Sequence, residues 1–284
     1  FGKSGRIIGG LTGAGGRSRI KEMLKLCKQE IAAGDLVIDI IGFSRGAALA
    51  LDFANKLSEE GIVGRGTQGS PTIRFLGLWD TVPAFGIPGA YLDIAKDLDV
   101  GWELDVPEHV GLCAHAMARH ERRQAFDVHR IDAERRHPHV REVWFRGAHS
   151  DVGGGNGNSA LNSIALRWMM EQARSIGIPF SSEQIADIMR LENPSAPVSS
   201  NSRVGEEIDR NFHPKDVLHS SEARRLKVGE SKTVAVDSKL IYDFSGLIVE
   251  PGGRYLIKPD KKSRWKDKSI DCDSTGWPKN LNRN

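Results

Sequence analysis

Cysteine is scarce. Cys27, Cys113 and Cys272 are the only three in 284 residues. They are scattered and odd in number, which excludes a disulfide framework and fits synthesis in a reducing compartment. A charge excess is missing too: 40 Lys and Arg stand against 37 Asp and Glu, a formal net charge of +3. That near balance excludes a broad nucleic-acid-binding face. No apolar run approaches the ~18 residues that a spanning helix needs. The metal-binding spacing H-E-x-x-H is absent, and no metal is expected. Gly2-Lys3-Ser4 echoes the end of a phosphate-binding loop, but Gly5 and Gly9-Gly10 follow where a helix would have to start, so no nucleotide cofactor is expected. No signal peptide is visible. The chain opens at Phe1, without Met, inside loop-like sequence, and is read as a fragment or the ordered part of something longer.

What is present centres on residues 36–51. Leu36 to Ile41 is apolar and rich in β-branched residues, Gly42-Phe43-Ser44-Arg45-Gly46 follows, and Ala47-Ala48-Leu49-Ala50-Leu51 continues as a helix. A strand, a sharp turn spelling G-x-S-x-G and a helix make a nucleophile elbow. Its serine hydroxyl is pushed clear of the backbone, and small residues on either side let chain pack closely. Ser44 is the expected nucleophile, and the N–H of Arg45, at the mouth of the helix, an oxyanion donor. The plain alternative is a serine that caps the helix.

Two more predicted strands end in chemistry. Residues 73–79 are apolar and end at Asp80-Thr81-Val82-Pro83; residues 140–146 end at Gly147-Ala148-His149-Ser150-Asp151 and a run of glycines. In an α/β sheet the groups just past the carboxyl ends of the strands line the working crevice. Ser44, Asp80 and His149 therefore share one rim, in the Ser…Asp…His chain order of α/β-hydrolases. Asp80 would orient His149, and Asp151 is a spare carboxylate best suited to holding its loop. His219 is the runner-up for the base, because a late histidine also fits that order.

Around these strands the pattern predicts helices over 17–33, from the elbow to about residue 57, over 115–126, 159–176 and 182–191, the last opening on the start signal Ser181-Ser182-Glu183-Gln184. From Arg224 the texture changes. Short apolar stretches at 232–236, 239–244, 247–249 and 254–258 alternate with Gly, Pro and Asp turns and predict an antiparallel β module. Lys261, Lys262, Arg264, Lys266 and Lys268 with Trp265 form a basic, aromatic patch that reads as solvated surface or as a contact for anionic lipid headgroups. The expected fold class is α/β: an α/β-hydrolase-type, mostly parallel sheet flanked by helices over residues 1–222, with a small β-rich accessory module over 223–284.

Three blocks in this order carry a family resemblance: Gly42-Phe43-Ser44-Arg45-Gly46-Ala47, Trp79-Asp80-Thr81-Val82, and Trp144-Phe145-Arg146-Gly147-Ala148-His149-Ser150-Asp151-Val152-Gly153-Gly154-Gly155. Together they resemble the bacterial and fungal α/β-hydrolases that include the first family of type VI secretion lipase effectors. Leu218-His219-Ser220-Ser221 resembles a weaker late motif of that family, and the resemblance spans roughly residues 7–222. It implies Ser44 as nucleophile, Asp80 as acid, His149 as base, and phospholipase activity of the A type. It also implies a phospholipid membrane surface as target, an immunity protein and a secretion spike component as partners, and delivery from the bacterial cytoplasm into the periplasm of target cells. A non-catalytic lipid- or glycan-binding protein on the same fold, or a thioesterase or amidase, would share many of these features. The family's opening strand with Asp-Gly-Thr, whose loop would give a second oxyanion donor, has no counterpart here, which fits truncation. His120 stands where the family usually has an acid.

Overall fold

The computed structural model describes residues 14–64, 69–83, 102–132, 137–199, 209–211 and 216–219, together with the backbone of four short strands beyond. The chain divides into two compact units, Phe1–Glu222 and Ala223–Asn284.

The first unit opens with α1 (Ala14–Ala32), whose Ile20 and Leu24 face inward. Gly34, at φ 106°, follows its end in a conformation that glycine adopts without strain. Then come β1 (Val37–Phe43) and α2 (Arg45–Glu59), the strand and helix expected around the elbow. β2 (Thr72–Trp79), β3 (Leu112–Ala118) and β4 (Val140–Phe145) complete a four-stranded sheet in the order β1-β2-β3-β4, parallel throughout. Parallel strands bring all their carboxyl ends to one rim. Phe43 lies opposite Trp79, Trp79 opposite Ala116, and Ala118 opposite Phe145. The residues that follow these strand ends form the candidate site.

Helices cover both faces, as a parallel sheet requires. On one side Ile20, Leu24, Leu51 and Leu57 of α1 and α2 pack on Ile40, Ile73, Leu76 and Leu78. On the other, Leu161, Ile164, Ala165, Trp168 and Met169 of α4 (Ser159–Ser175) pack on Phe75, Ala114, Ala116, Ala118, Val143 and Phe145. Between β4 and α4 sits the short α3 (His149–Gly153). α5 (Ser182–Met189) starts with the expected box: the Ser181 hydroxyl accepts from Gln184 N at 3.1 Å, and Ser181 N donates to Gln184 Oε1 at 2.9 Å. The chain then returns to the sheet. Leu218 bridges Trp144 in parallel, with Trp144 N donating to Val217 O and His219 N to Trp144 O, both at 2.9 Å.

One expected helix is corrected. Residues 115–126 do not form one: Leu112–Ala118 is β3, every residue of it buried, and only Gln124–Phe126 makes a turn of 3-10 helix. Ala114, Ala116 and Ala118 alternate on the face under α4, where small side chains let the helix approach. The opposite face carries a buried charged cluster. The Thr81 amide donates to His115 Nε2 at 3.2 Å, and His115 Nδ1 meets Glu142 Oε1 at 3.1 Å. Arg130 bridges Glu142 and Asp216, and Trp144 Nε1 donates to Asp216 at 2.9 Å.

In the second unit, Arg224–Arg225 pairs with Leu247–Ile248 in parallel, and Arg264–Asp267 with Ile270–Asp273 antiparallel. The first pairing corrects the expectation of a wholly antiparallel module. The second places part of the basic patch, Arg264 to Lys266, in a strand. Outside the described residues lie Gly2-Lys3-Ser4 and its glycine-rich surroundings, the stretches 84–101, 232–236, 239–244 and 254–258, His213, Ser220, Ser221, Lys261, Lys262 and Lys268. Among the described residues no helix is long and apolar enough to cross a membrane.

Candidate active site

The elbow is formed and strained. Ser44 sits between β1 and α2 with φ 59° and ψ −127°, and its side chain does not cap the helix. That sets aside the plain reading of a capping serine. Such a backbone costs on the order of 1–3 kcal/mol and persists only where its surroundings enforce it. Here Ser44 N donates to Trp79 O at 2.9 Å, and Ser44 O accepts from Ala47 N at 3.0 Å and from Val82 N at 3.3 Å. Gly42 permits the turn: a Cβ there would lie 2.4 Å from Gly46 O and 2.7 Å from Ala47 Cα. Gly46 differs, since a Cβ on it meets nothing within 4 Å, so the close packing expected of both flanking glycines belongs to Gly42 alone. Arg45 opens α2, and its N–H belongs to the first helical turn.

Among the described residues, the non-glycine positions with positive φ are Ser44 and Asp80, the latter at 43°. Both stand directly after strand ends, on neighbouring strands. Asp80 is fully buried, and its Oδ2 lies 2.6 Å from His149 Nδ1. A carboxylate can only accept, so Nδ1 carries a proton, and the tautomer this bond selects is the one with its lone pair on Nε2. The imidazole is held on three sides. The Phe43 ring lies 4.5 Å from it, centroid to centroid, and the Phe126 ring meets it edge-on at 4.9 Å. The His149 amide donates to Glu121 Oε2 at 3.2 Å. Phe43 directly precedes Ser44, so the side chain next to Ser44 in sequence packs on the His149 ring. Among the hydrogen bonds of the described residues, none joins the Ser44 hydroxyl to that ring.

Other candidates fall elsewhere. The Asp151 carboxylate accepts from Ala148 N, Ser199 N, Ser199 Oγ, Asn156 Nδ2 and Asn158 Nδ2, at 2.5–3.0 Å, which is the loop-holding role. His219 stacks on Phe145 at 4.7 Å, and burial, with help from Arg167, pushes it down to about 4. His120 is also pushed down to about 4, by burial first and then Arg119 and Arg146, and its Nδ1 accepts from Gly147 N at 3.0 Å.

Two site residues carried no sequence signal of their role. Glu121 follows β3 and pairs with Arg123 through both oxygens, at 2.8 Å each. Arg210 reaches in from a remote loop and grips Asp80, with Nη1 2.5 Å from Oδ1 and Nη2 3.0 Å from Oδ2. Burial raises the Asp80 carboxyl, but the Arg210 charge and the bond to His149 outweigh it and hold it well below the usual carboxylate range. Among the described residues no group of His, Cys, Asp and Glu is placed to hold a metal ion.

Comparison with known proteins places residues 59–172 against the family described as "T6SS, Phospholipase effector Tle1-like, catalytic domain". The matched span contains Asp80, Glu121 and His149 and begins after the elbow. No curated protein matches. Among solved structures, the chain is similar to an uncharacterized protein from Pseudomonas aeruginosa: 28% identity, 61% of this chain and 29% of that one, TM-score 0.43. It is also similar to the Tle1 effector, in a structure of that protein bound to the VgrG spike of the type VI secretion system: 33% identity, 42% of this chain and 24% of that one, TM-score 0.33. The chain thus spans less than a third of the length of either solved protein.

Proposed function

We propose that residues 1–222 are the catalytic part of a serine esterase on an α/β-hydrolase fold that cleaves acyl esters of phospholipids, phospholipase A fashion, as an effector of type VI secretion. The observation that carries this is the 2.6 Å contact between His149 Nδ1 and Asp80 Oδ2 beside the strained Ser44. The match of residues 59–172 to a phospholipase effector family supports phospholipid as the substrate class.

In this reading the Ser44 hydroxyl attacks the ester carbonyl and passes its proton to His149 Nε2. Asp80 holds the ring in the required tautomer and stabilises the imidazolium. The Arg45 N–H faces the developing oxyanion. His149 then returns the proton to the leaving alcohol; water, deprotonated by the same ring, attacks the acyl-enzyme, and the ring passes that proton to Ser44 Oγ as the fatty acid leaves. No step calls on a metal or cofactor. Residues 223–284 form an accessory module. A secretion spike component, an immunity protein and the membranes of target cells, reached through the periplasm, are the partners this reading brings.

The test is incubation of phospholipid vesicles with wild-type protein and with Ser44→Ala, followed by mass spectrometry of the lipids. Fatty acid and lysolipid from the wild type alone are expected. Equal signals from both proteins would point to a binder without catalysis. Cleavage of a soluble ester beside intact lipids would point to another acyl hydrolase.

A further inference from the structure

Arg210 is placed as few surface-loop arginines are. It belongs to the short described stretch 209–211 and is 3% exposed. Its two terminal nitrogens do four things. Both bond Asp80; Nη1 also donates to Ala118 O, and Nη2 to Phe126 O, each at 2.5 Å. The neighbouring Asp209 pairs with Arg122 at 3.0 Å. One side chain thus ties the end of β2, the end of β3 and the turn that carries Phe126, the ring that flanks His149.

The Asp80 carboxylate has about four acceptor directions. Oδ1 takes Ala118 N at 2.8 Å and Arg210 Nη1, while Oδ2 takes His149 Nδ1 and Arg210 Nη2. All four are used, so the carboxylate cannot turn away from His149 without breaking a charge-assisted bond. Charge matters as well. Asp80 with a protonated His149 sums to zero; adding Arg210 makes the cluster +1. A cation in contact with the acid opposes uptake of a proton by the pair. Among the described residues, the other charged or titratable groups around the pair are Glu121 and Arg123 after β3, Asp151 on α3, His115 through the Thr81 amide, and His120 behind Gly147.

We propose that Arg210 is a positioning residue of the Asp80–His149 pair: it aims the carboxylate at the ring and, through its charge, keeps the pair unprotonated further into acid. The assignment rests on the serine-esterase reading above. It predicts that an enzyme built this way retains activity as its surroundings acidify.

The experiment measures kcat and KM for a soluble ester from pH 4 to 9 in wild type, Arg210→Met, Arg210→Gln and Arg210→Lys, with thermal melts of each. In the two neutral variants the acid limb of kcat/KM is expected to move up by about one pH unit, a tenfold gain in proton affinity. Their kcat is expected to fall about tenfold with KM unchanged, because the buried guanidinium does not meet substrate. Arg210→Lys keeps the charge and loses the fork, so its limb stays with wild type while kcat falls. An active neutral variant whose limb does not move overturns the proposal, and so does a Lys variant whose limb rises. If the neutral variants fail to fold while Lys folds, the residue is scaffold and the proposal fails. Wild type no more active than Ser44→Ala would defeat the esterase reading instead, independently of any Arg210 variant.

Discussion

Replacing Gly42 by alanine tests the elbow where it is tightest. The added methyl would stand 2.4 Å from Gly46 O and 2.7 Å from both Gly46 C and Ala47 Cα. All three belong to the backbone at the start of α2, so no side chain can swing aside. Ordinary contact begins near 3.4 Å, and α2 would have to retreat by about 1 Å. Its buried Ala47, Leu51, Ala54 and Leu57 would then lose their fit against the sheet. Overpacking of this kind costs about 1–3 kcal/mol. A shift of that size beside Ser44 would cost about 100-fold in rate. Gly46→Ala is the matched control: the same methyl meets nothing within 4 Å and sits in a helix, where alanine is favoured by about 1 kcal/mol. Urea denaturation with soluble-ester hydrolysis reads both effects. Gly42→Ala is expected to unfold at lower urea and lose activity, while Gly46→Ala unfolds at or above the wild-type midpoint. Equal midpoints for the wild type and Gly42→Ala, or a Gly46→Ala protein as damaged as Gly42→Ala, would refute the reasoning.

Three further outcomes are expected. Asp80→Asn leaves His149 in the wrong tautomer, so kcat should fall by roughly 10⁴, and a loss under tenfold would contradict the role given to Asp80. Asp151→Ala strands several donors around the loop after His149 and should destabilise by about 3 kcal/mol in urea titration, whereas an unchanged midpoint would deny it the loop-holding role. Thermal melts should fall on mild acidification. His120 and His219 are held near 4 in the fold against 6.5 when unfolded, so stability is full above about 6.5. As the pH drops toward 4, the unfolded chain takes up these protons first, costing up to ~3 kcal/mol per ring. Glu142 is held down to about 2 against 4.5 when unfolded, so the stability it contributes is full above about 4.5 and is lost progressively as the pH falls from there to 2. A melting temperature constant from pH 7 to 4 would contradict the burial of the two rings.

The parts of this molecule that were legible from sequence are those where local pattern and tertiary role coincide. The elbow needs glycine, serine and small helix residues at fixed spacing, and the same spacing forms it here. β2 and β4 read as strands because apolar residues run up to a polar strand end. β3 did not. Its alternating alanines are strong helix formers, and the face holding His115 is polar because Glu142 and Arg130, distant in sequence, complete it. A lone strand gives no hint of partners that arrive later. The same holds for Arg210, an arginine in an irregular stretch whose only distinction is the carboxylate it reaches, 130 residues away. Asp80 and His149 were each readable as strand-end residues, whereas the bond between them is a property of the folded sheet.

The central claim is most directly met by labelling the native protein with a fluorophosphonate and mapping the adduct by peptide mass spectrometry. The account predicts one adduct, on Ser44, formed quickly in wild type and at least a thousandfold more slowly in His149→Ala. An adduct on another residue, or equal labelling of Ser44 in both proteins, would contradict it.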